Sequence, residues 1–263
     1  MKIQFNKFDK LNIRIIALII LIYSFNKKII HNKALELPYK ILELLPYKVN
    51  NDIIPDIVIC PGGRYGAYHL GICHYIKNKF DISNKKIVGF SVGSWNSLFM
   101  AINKKYDNEC LRKIFKIKSK KISELLKKTK DVIDEYKIDD YNLKNIYIAS
   151  TTIKGLTIYN NFLTLDDVTR CCTSSSFIPY LTYNDMFYFY KNKLSFDGGM
   201  YCKKYIKSQT SNPLVITYKM FGRYQNMNIL KDITNKTKPS PYQLYIKGYN
   251  DAIKNHDYLE KFF

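Results

Sequence analysis

Short apolar runs alternate with segments of helical periodicity along most of this chain. The first runs, IPDIVIC (54–60) and KKIVGF (85–90), predict two buried strands. A helical pattern follows each of them, marked first by Tyr65, Tyr68, Ile72, Tyr75 and Ile76 and then by Trp95, Leu98, Phe99 and Ile102. Three later runs predict further strands: IYIAST (146–151), LTIY (156–159) and PLVITY (213–218). Alternation of strand and helix predicts an α/β fold whose mostly parallel sheet is covered on both faces.

The N-terminus has a different pattern. An unbroken apolar run from Ile15 to Tyr23 is flanked by basic residues and is shorter than the roughly 20 residues of a spanning helix. No small-residue cleavage site follows it. We expect an interfacial or signal-anchor helix, with a helix packed on the domain as the alternative. The repeated LPYK then suggests a linker, so we place a membrane-facing segment at 1–45 and the folded domain at 46–263.

A second basic region lies between Arg112 and Lys130. It holds nine basic residues and one acidic residue, Glu124, together with enough apolar residues for one face of a helix. The pattern predicts a single lysine-rich helix. Such a helix either lies on an anionic bilayer or presents an ordinary solvated face to water.

The overall charge adds to this picture. The formal net charge of +20 favours an anionic partner, although a coding bias toward Lys, Ile, Asn and Tyr is an alternative source of it. No nucleic-acid-binding motif accompanies the charge, so we expect a membrane surface as the partner. The six cysteines have no metal-ligand or paired spacing, and we expect neither a metal nor a disulfide framework in an intracellular protein.

The candidate chemistry begins at the turn after the second strand. Gly89, Ser91 and Gly93 form the pattern G-x-S-x-G between a predicted strand and a predicted helix. In this context the serine lies on a strained strand-to-helix turn, and glycine on either side avoids collisions. Ser91 is therefore predicted to be a nucleophile, the alternative being a small residue in an ordinary turn.

The preceding strand ends in a second glycine-rich turn, PGGRYG (61–66). Parallel neighbouring strands bring both turns to the same edge of the sheet. We predict that the backbone N–H groups of Gly62, Gly63 and Arg64 stabilise an oxyanion, because residues without side chains let a substrate approach. A helix cap is the simpler interpretation of this turn.

A general base is the remaining requirement. His256 is the only histidine late enough in the chain for a Ser-Asp-His order, but it lies in a helix-like segment. Asp197 precedes Gly198 and Gly199 at the end of a short apolar run. In an apolar site its pKa would rise toward neutrality, so Asp197 is predicted to act as the sole base on Ser91. A plain Asp-Gly turn is the alternative.

These motifs in this order, GGxxG, GxSxG and DGG, resemble the patatin-like phospholipases. Further stretches are similar to that family's segments: GAYHLGI (66–72), IYIASTTIKGLTIYNN (146–161) and LDDVTRCCTSSSFIPYL (165–181). The resemblance covers about residues 54–218. It implies a three-layer α/β/α fold with a mostly parallel central sheet and a Ser91–Asp197 dyad, with no cofactor or metal.

The activity implied is hydrolysis of acyl esters of membrane lipids or phospholipids through an acyl-enzyme, by a membrane-associated enzyme. The chain departs from the family pattern at Pro61, which replaces the first loop glycine, and at Tyr65, where a basic residue is usual. The residues after DGG, MYCKKYI, also differ from the family. Two other functions remain open: a catalytically weak lipid-binding protein, and a Ser-Asp-His esterase that uses His256.

Overall fold

The computed structural model describes residues 47–119, 121–179, 181–183, 185, 187–226 and 239–263. The predicted membrane-facing segment, residues 1–45, lies outside the described residues, as does residue 46. Within the described part of the chain, no helix is both long enough and apolar enough to cross a membrane.

The described strands form one sheet. They are β1 (Val49–Asn50), β2 (Ile57–Ile59), β3 (Ile87–Phe90), β4 (Ile146–Thr152), β5 (Gly155–Tyr159), β6 (Tyr188–Tyr190), β7 (Lys193–Phe196) and β8 (Leu214–Ile216). The main order is β1-β5-β4-β3-β2-β8, and β7 pairs with both β4 and β6. Along the main order only β4 and β5 are antiparallel. The protein is thus a mixed α/β fold with a mostly parallel central sheet, as the apolar pattern predicts.

Six of the described α-helices lie in the connections between these strands, and two follow the last strand. They are α1 (Gly66–Lys79), α2 (Val92–Ala101), α3 (Asp107–Lys116), α4 (Ile122–Asp134), α5 (Leu165–Ser175), α6 (Gly199–Ser208), α7 (Pro241–Lys254) and α8 (His256–Glu260). Two of them begin at side-chain caps. Thr164 accepts the Asp167 N–H at the start of α5, and Ser240 and Gln243 form a capping box before α7.

The core lies on both faces of the sheet. Because side chains alternate along a strand, Ile57 and Ile59 pack in the cluster that includes residues of α1, α2, α5 and α7, whereas Val58 packs in a second cluster. That second cluster contains Tyr201 and Tyr205 of α6. Apolar cover on both faces is consistent with three layers of the α/β/α kind.

The lysine-rich region differs from its prediction. Instead of one helix, α3 ends at Lys116 and α4 begins at Ile122. In the break, the Ser119 hydroxyl donates to the Lys121 carbonyl and accepts the Lys121 N–H. The Ser119 side chain thus forms hydrogen bonds with backbone groups that would otherwise bond within a continuous helix. Several lysines of α3 and α4 also form ion pairs with acidic neighbours: Lys113 with Glu109 and Glu135, Lys128 with Glu124, and Lys130 with Asp134 and Asp166.

Candidate active site

Ser91 occupies a strained turn between β3 and α2. Its backbone has φ 54° and ψ −126°, a conformation that L-residues with side chains rarely adopt. The flanking glycines are needed for close approach. A Cβ at Gly89 would lie 2.6 Å from the Gly93 carbonyl oxygen, and one at Gly93 would lie 2.2 Å from the Ile59 carbonyl oxygen. The G-x-S-x-G pattern therefore has the strand–turn–helix context that it predicts.

Asp197 reaches this turn because of the way β4 is paired. One edge of β4 pairs with β5, and the other edge pairs first with β3 and then with β7. β3 runs parallel to β4 and ends opposite Ala149, whereas β7 runs antiparallel and ends opposite Thr151. The two strand ends consequently face each other, so the residues that follow them, Ser91 and Asp197, meet.

The two side chains are in direct contact. The Ser91 hydroxyl donates to Oδ2 of Asp197 over 2.6 Å, and the residues are only 8% and 4% exposed. The other carboxylate oxygen, Oδ1, accepts the Gly199 N–H at 2.7 Å. The Asp197 backbone is also held, because its N–H donates to Phe177 and its carbonyl accepts the Thr151 hydroxyl. The carboxylate is therefore fixed in one orientation toward Ser91.

Glycine is required at both positions after Asp197. A Cβ at Gly198 would lie 2.0 Å from the Ala149 carbonyl oxygen. One at Gly199 would lie 2.7 Å from both Oδ1 of Asp197 and Cβ of Pro61. The second contact places the Pro61 ring beside the dyad. The DGG sequence is thus a steric requirement of this site.

Burial sets the protonation behaviour of Asp197. Removal from water raises the pKa of Asp197 to about 6, and the hydrogen bonds from Ser91 and the Gly199 N–H oppose part of that rise. A carboxylate with a pKa near 6 is ionised at neutral pH and accepts a proton more readily than a solvated carboxylate does. This agrees with the environment predicted for Asp197.

The glycine-rich turn begins immediately after β2. Gly62 has φ −152° and ψ −7°, and Gly63 is left-handed with φ 49°. The first hydrogen bond of the turn runs from the Tyr65 N–H to the Gly62 carbonyl, so the Gly62 and Gly63 amides have no partner within it. The Arg64 guanidinium is directed away along the surface and donates to the Pro239 carbonyl at 2.8 Å.

Two polar residues near these turns escaped the sequence analysis. Ser175 accepts the Ser91 N–H at 2.9 Å and donates to the Ala149 carbonyl at 2.7 Å, which links the serine turn to β4. Buried His69 lies under the glycine-rich turn, where a Cβ at Gly62 would be 2.6 Å from its Cε1 atom. Burial lowers the pKa of His69 to about 3, so the ring is neutral. The serine run at 174–176 was the available signal for Ser175.

The structure places His256 away from Ser91. Its Nδ1 atom is 3.0 Å from the Tyr75 hydroxyl, and its ring stacks on Phe80 at the end of α1. Ser91 lies at the other end of that helix, since a Cβ at Gly66 would be 2.2 Å from Cγ2 of Val92. With 14 residues, α1 spans about 21 Å. The arrangement brings Asp197, and not His256, into contact with the serine.

Within the described residues, no group of three or more His, Cys, Asp or Glu side chains is placed to hold a metal ion. The site consists of a serine on a strained turn, a buried carboxylate in contact with it, and a glycine-rich turn on the neighbouring strand.

No protein-family model matches the chain. A search of curated proteins likewise finds no match to its sequence.

Proposed function

We propose that this protein is a serine lipid acyl hydrolase with a patatin-like three-layer fold and a Ser91–Asp197 dyad. The observation behind the proposal is the 2.6 Å hydrogen bond from Ser91, held at positive φ, to a buried carboxylate. A strained nucleophile and an oriented base are the two groups that acyl transfer requires.

In the proposed reaction, Oγ of Ser91 attacks the acyl carbonyl carbon while its proton passes to Oδ2 of Asp197. The carbonyl oxygen becomes an oxyanion, which the amides of Gly62, Gly63 and Arg64 stabilise. Collapse of this intermediate expels the alcohol, which takes the proton from Asp197. Water then attacks the acyl carbon while its proton passes to Asp197. The bond from the acyl carbon to Oγ breaks, Oγ takes that proton from Asp197, and the fatty acid leaves.

The apolar surroundings of the dyad support a lipid as the substrate. Phe177, whose carbonyl accepts the Asp197 N–H, and Phe196, which precedes Asp197, form a buried cluster. Tyr183, Tyr188 and Met200 pack against this cluster. Trp95 lies nearby and donates to the Ser176 hydroxyl at 3.1 Å. Phe177 and Phe196 are buried, so the dyad is packed in apolar surroundings, which suit an acyl chain better than a polar alcohol or a peptide.

A second candidate function follows from Pro61. Proline has no N–H, so the first position of the glycine-rich turn offers no donor to an oxyanion. If the remaining amides are insufficient, the protein binds lipid but turns it over slowly. We rank this below hydrolysis, because Gly62 and Gly63 keep their amides without partners inside the turn.

The test is release of fatty acid from mixed phospholipid vesicles in the presence of a chelator. We expect turnover by the native chain and none above background by Ser91→Ala or Asp197→Asn. Ser97→Ala is the matched control, because Ser97 is a buried serine of α2, the helix that follows Ser91, and donates to the Ser94 carbonyl and not to the dyad. Vesicle binding without release would favour the second candidate, and release by Ser91→Ala would contradict both.

A further inference from the structure

The outward side of α7 is unusual among the described helices. Its inward side packs so closely on α1 that a Cβ at Gly248 would lie 2.0 Å from the Tyr68 carbonyl oxygen. Leu244 and Ala252 are buried on this side as well. The opposite side faces solvent, and its side chains are not those of an ordinary solvated face.

An apolar stripe runs along that side. Tyr242, Ile246 and Ile253 are 56%, 38% and 49% exposed. At 100° per residue these three positions fall within an arc of about 40°, so they form one line along the helix. Isolated exposed apolar residues are common, but an aligned set on one helix marks a contact surface.

Basic side chains border the stripe on one side. Lys247 and Lys254 lie on the adjoining arc and are exposed, and neither forms an ion pair within the described part of the chain. Asp251, between them, is neutralised by Arg223 at 2.9 Å. Tyr242 and Ile246 of the stripe line a shallow depression of about 430 Å³ together with the two lysines, whereas Ile253 lies outside it. Lys247 also lies over the Tyr224 ring, 5.1 Å from its centroid. Apolar groups beside exposed cations that form no ion pair match the boundary between acyl chains and anionic headgroups.

The lysines of α3 and α4 provide a contrast. Lys113, Lys128 and Lys130 of those helices form ion pairs with Glu and Asp neighbours, whereas Lys247 and Lys254 form none with the described residues. The α7 side also ends beside the candidate site, since the Arg64 guanidinium binds the Pro239 carbonyl just before α7 begins. A bilayer on this side would therefore adjoin the glycine-rich turn.

We propose that the outer side of α7, formed by Tyr242, Ile246, Lys247, Ile253 and Lys254, docks on anionic phospholipid bilayers. Ile246 and Ile253 enter the acyl boundary, and the lysines contact phosphate groups above it. The choice of a lipid surface as the partner rests on the proposed lipid hydrolase function, but binding itself does not require a working dyad.

The test is flotation of the full chain with vesicles, in a Ser91→Ala background so that the lipid stays intact. Vesicles of phosphatidylcholine alone are compared with vesicles in which about 30 mol% of the lipid is anionic phosphatidylglycerol. We expect Lys247→Glu/Lys254→Glu to weaken binding to the anionic vesicles by about tenfold or more. Ile246→Ser/Ile253→Ser should weaken binding to both kinds of vesicle.

Matched controls separate this surface from general charge and hydrophobicity. Lys203→Glu/Lys207→Glu reverses two exposed lysines of α6, and Phe189→Ser removes an exposed aromatic residue of β6. Both should bind like the parent. If the α7 variants also bind like the parent, or if the controls weaken binding equally, α7 is not the docking surface. If binding depends only on residues 1–45, the α7 variants will bind like the parent, and the proposal is overturned.

A second assay separates this proposal from the proposed function. The same α7 variants are made in the chain that retains Ser91, and their turnover of a short soluble ester is measured. Docking variants should keep that activity while losing activity on vesicles. Binding that depends on α7 in a protein without any ester turnover would overturn the hydrolase proposal and leave docking intact. Normal turnover on vesicles by the α7 variants would overturn the docking proposal and leave the hydrolase proposal intact.

Discussion

The two halves of the candidate site are built differently. Around Ser91 and Asp197, hydrogen bonds from Gly199 and Thr151 fix Asp197, and the Ser175 hydroxyl accepts the Ser91 N–H. Around the glycine-rich turn, the amides of Gly62 and Gly63 lack partners within the turn, and Pro61 precedes them without an N–H. The proposed nucleophile and base are already held in position, whereas the proposed oxyanion stabilisation depends on fewer donors. The account therefore predicts larger losses from the first half than from the second.

The largest effect is expected at the nucleophile. Ser91→Ala removes the atom that forms the acyl-enzyme, so kcat on a soluble ester should fall on the order of 10⁴-fold or more. Ser97→Ala should retain activity within a small factor. A residual rate in Ser91→Ala within tenfold of the native rate would mean that another group attacks the ester.

Removal of the base should be nearly as severe. Asp197→Asn keeps the shape of the side chain but removes proton acceptance, and we expect a loss on the order of 10³-fold. Its amide group can donate to Ser91 while its oxygen still accepts the Gly199 N–H, so the fold should persist. Circular dichroism and thermal melting check that the loss is chemical.

The same variant should be more stable than the native chain at alkaline pH. Burial raises the folded-state pKa of Asp197 from 3.8 to about 6, so ionising it in the folded state is penalised by about 3 kcal/mol. That penalty is fully present above pH 6 and disappears as the pH falls to about 4. Thermal melting at pH 8 and pH 4 should therefore show a stability advantage for Asp197→Asn only at pH 8. An equal advantage at both values would contradict the raised pKa.

The oxyanion half should give an intermediate effect. Gly62→Ala forces a methyl group against the His69 ring, displaces the turn and should lower kcat on the order of 10²-fold. The double variant Gly62→Ala/His69→Ala makes room for the methyl group and should recover part of the activity. Losses that simply multiply in the double variant would show that the clash with His69 is not the cause.

A smaller change is expected from pH. Because Asp197 must be ionised to accept the serine proton, kcat/KM should rise with pH and level off above a pKa of about 6. Below that value the rate should fall about tenfold for each pH unit. A profile that levels off only near pH 4 would indicate a solvated carboxylate as the base.

The smallest effect is expected at His256. Its ring contacts Tyr75 and Phe80 at the far end of α1, so His256→Ala should change kcat less than about twofold, within the usual range for residues outside the reacting groups. Some loss of stability is expected from the lost stacking. A loss of activity comparable to that of Asp197→Asn would revive the Ser-Asp-His alternative.

The sequence was informative where the physics is local. The strand, the glycines and the helix around Ser91 follow from apolar runs and from steric limits on a tight turn. The meeting of Ser91 with Asp197 was a hypothesis from motif order. It depends on β3 and β7 sharing one edge of β4, a long-range pairing that periodicity does not encode.

Other features lay beyond sequence patterns for identifiable reasons. Ser175 bridges β4 and the serine turn only because α5 packs there, and a serine run alone does not show which hydroxyl is used. The break between α3 and α4 contains no Pro or Gly. It depends on Ser119 hydrogen bonds that compete with the helix, and helical periodicity continues unchanged across it.

The most direct test of the dyad is covalent trapping. A fluorophosphonate ester reacts with an activated serine and leaves a stable adduct that peptide mass spectrometry can locate. The account predicts an adduct on Ser91 in the native chain and in His256→Ala, none in Ser91→Ala, and labelling of Asp197→Asn slowed on the order of 10²-fold or more. Labelling at another serine, or labelling of Ser91 at the same rate in Asp197→Asn, would contradict the proposal that Asp197 activates Ser91.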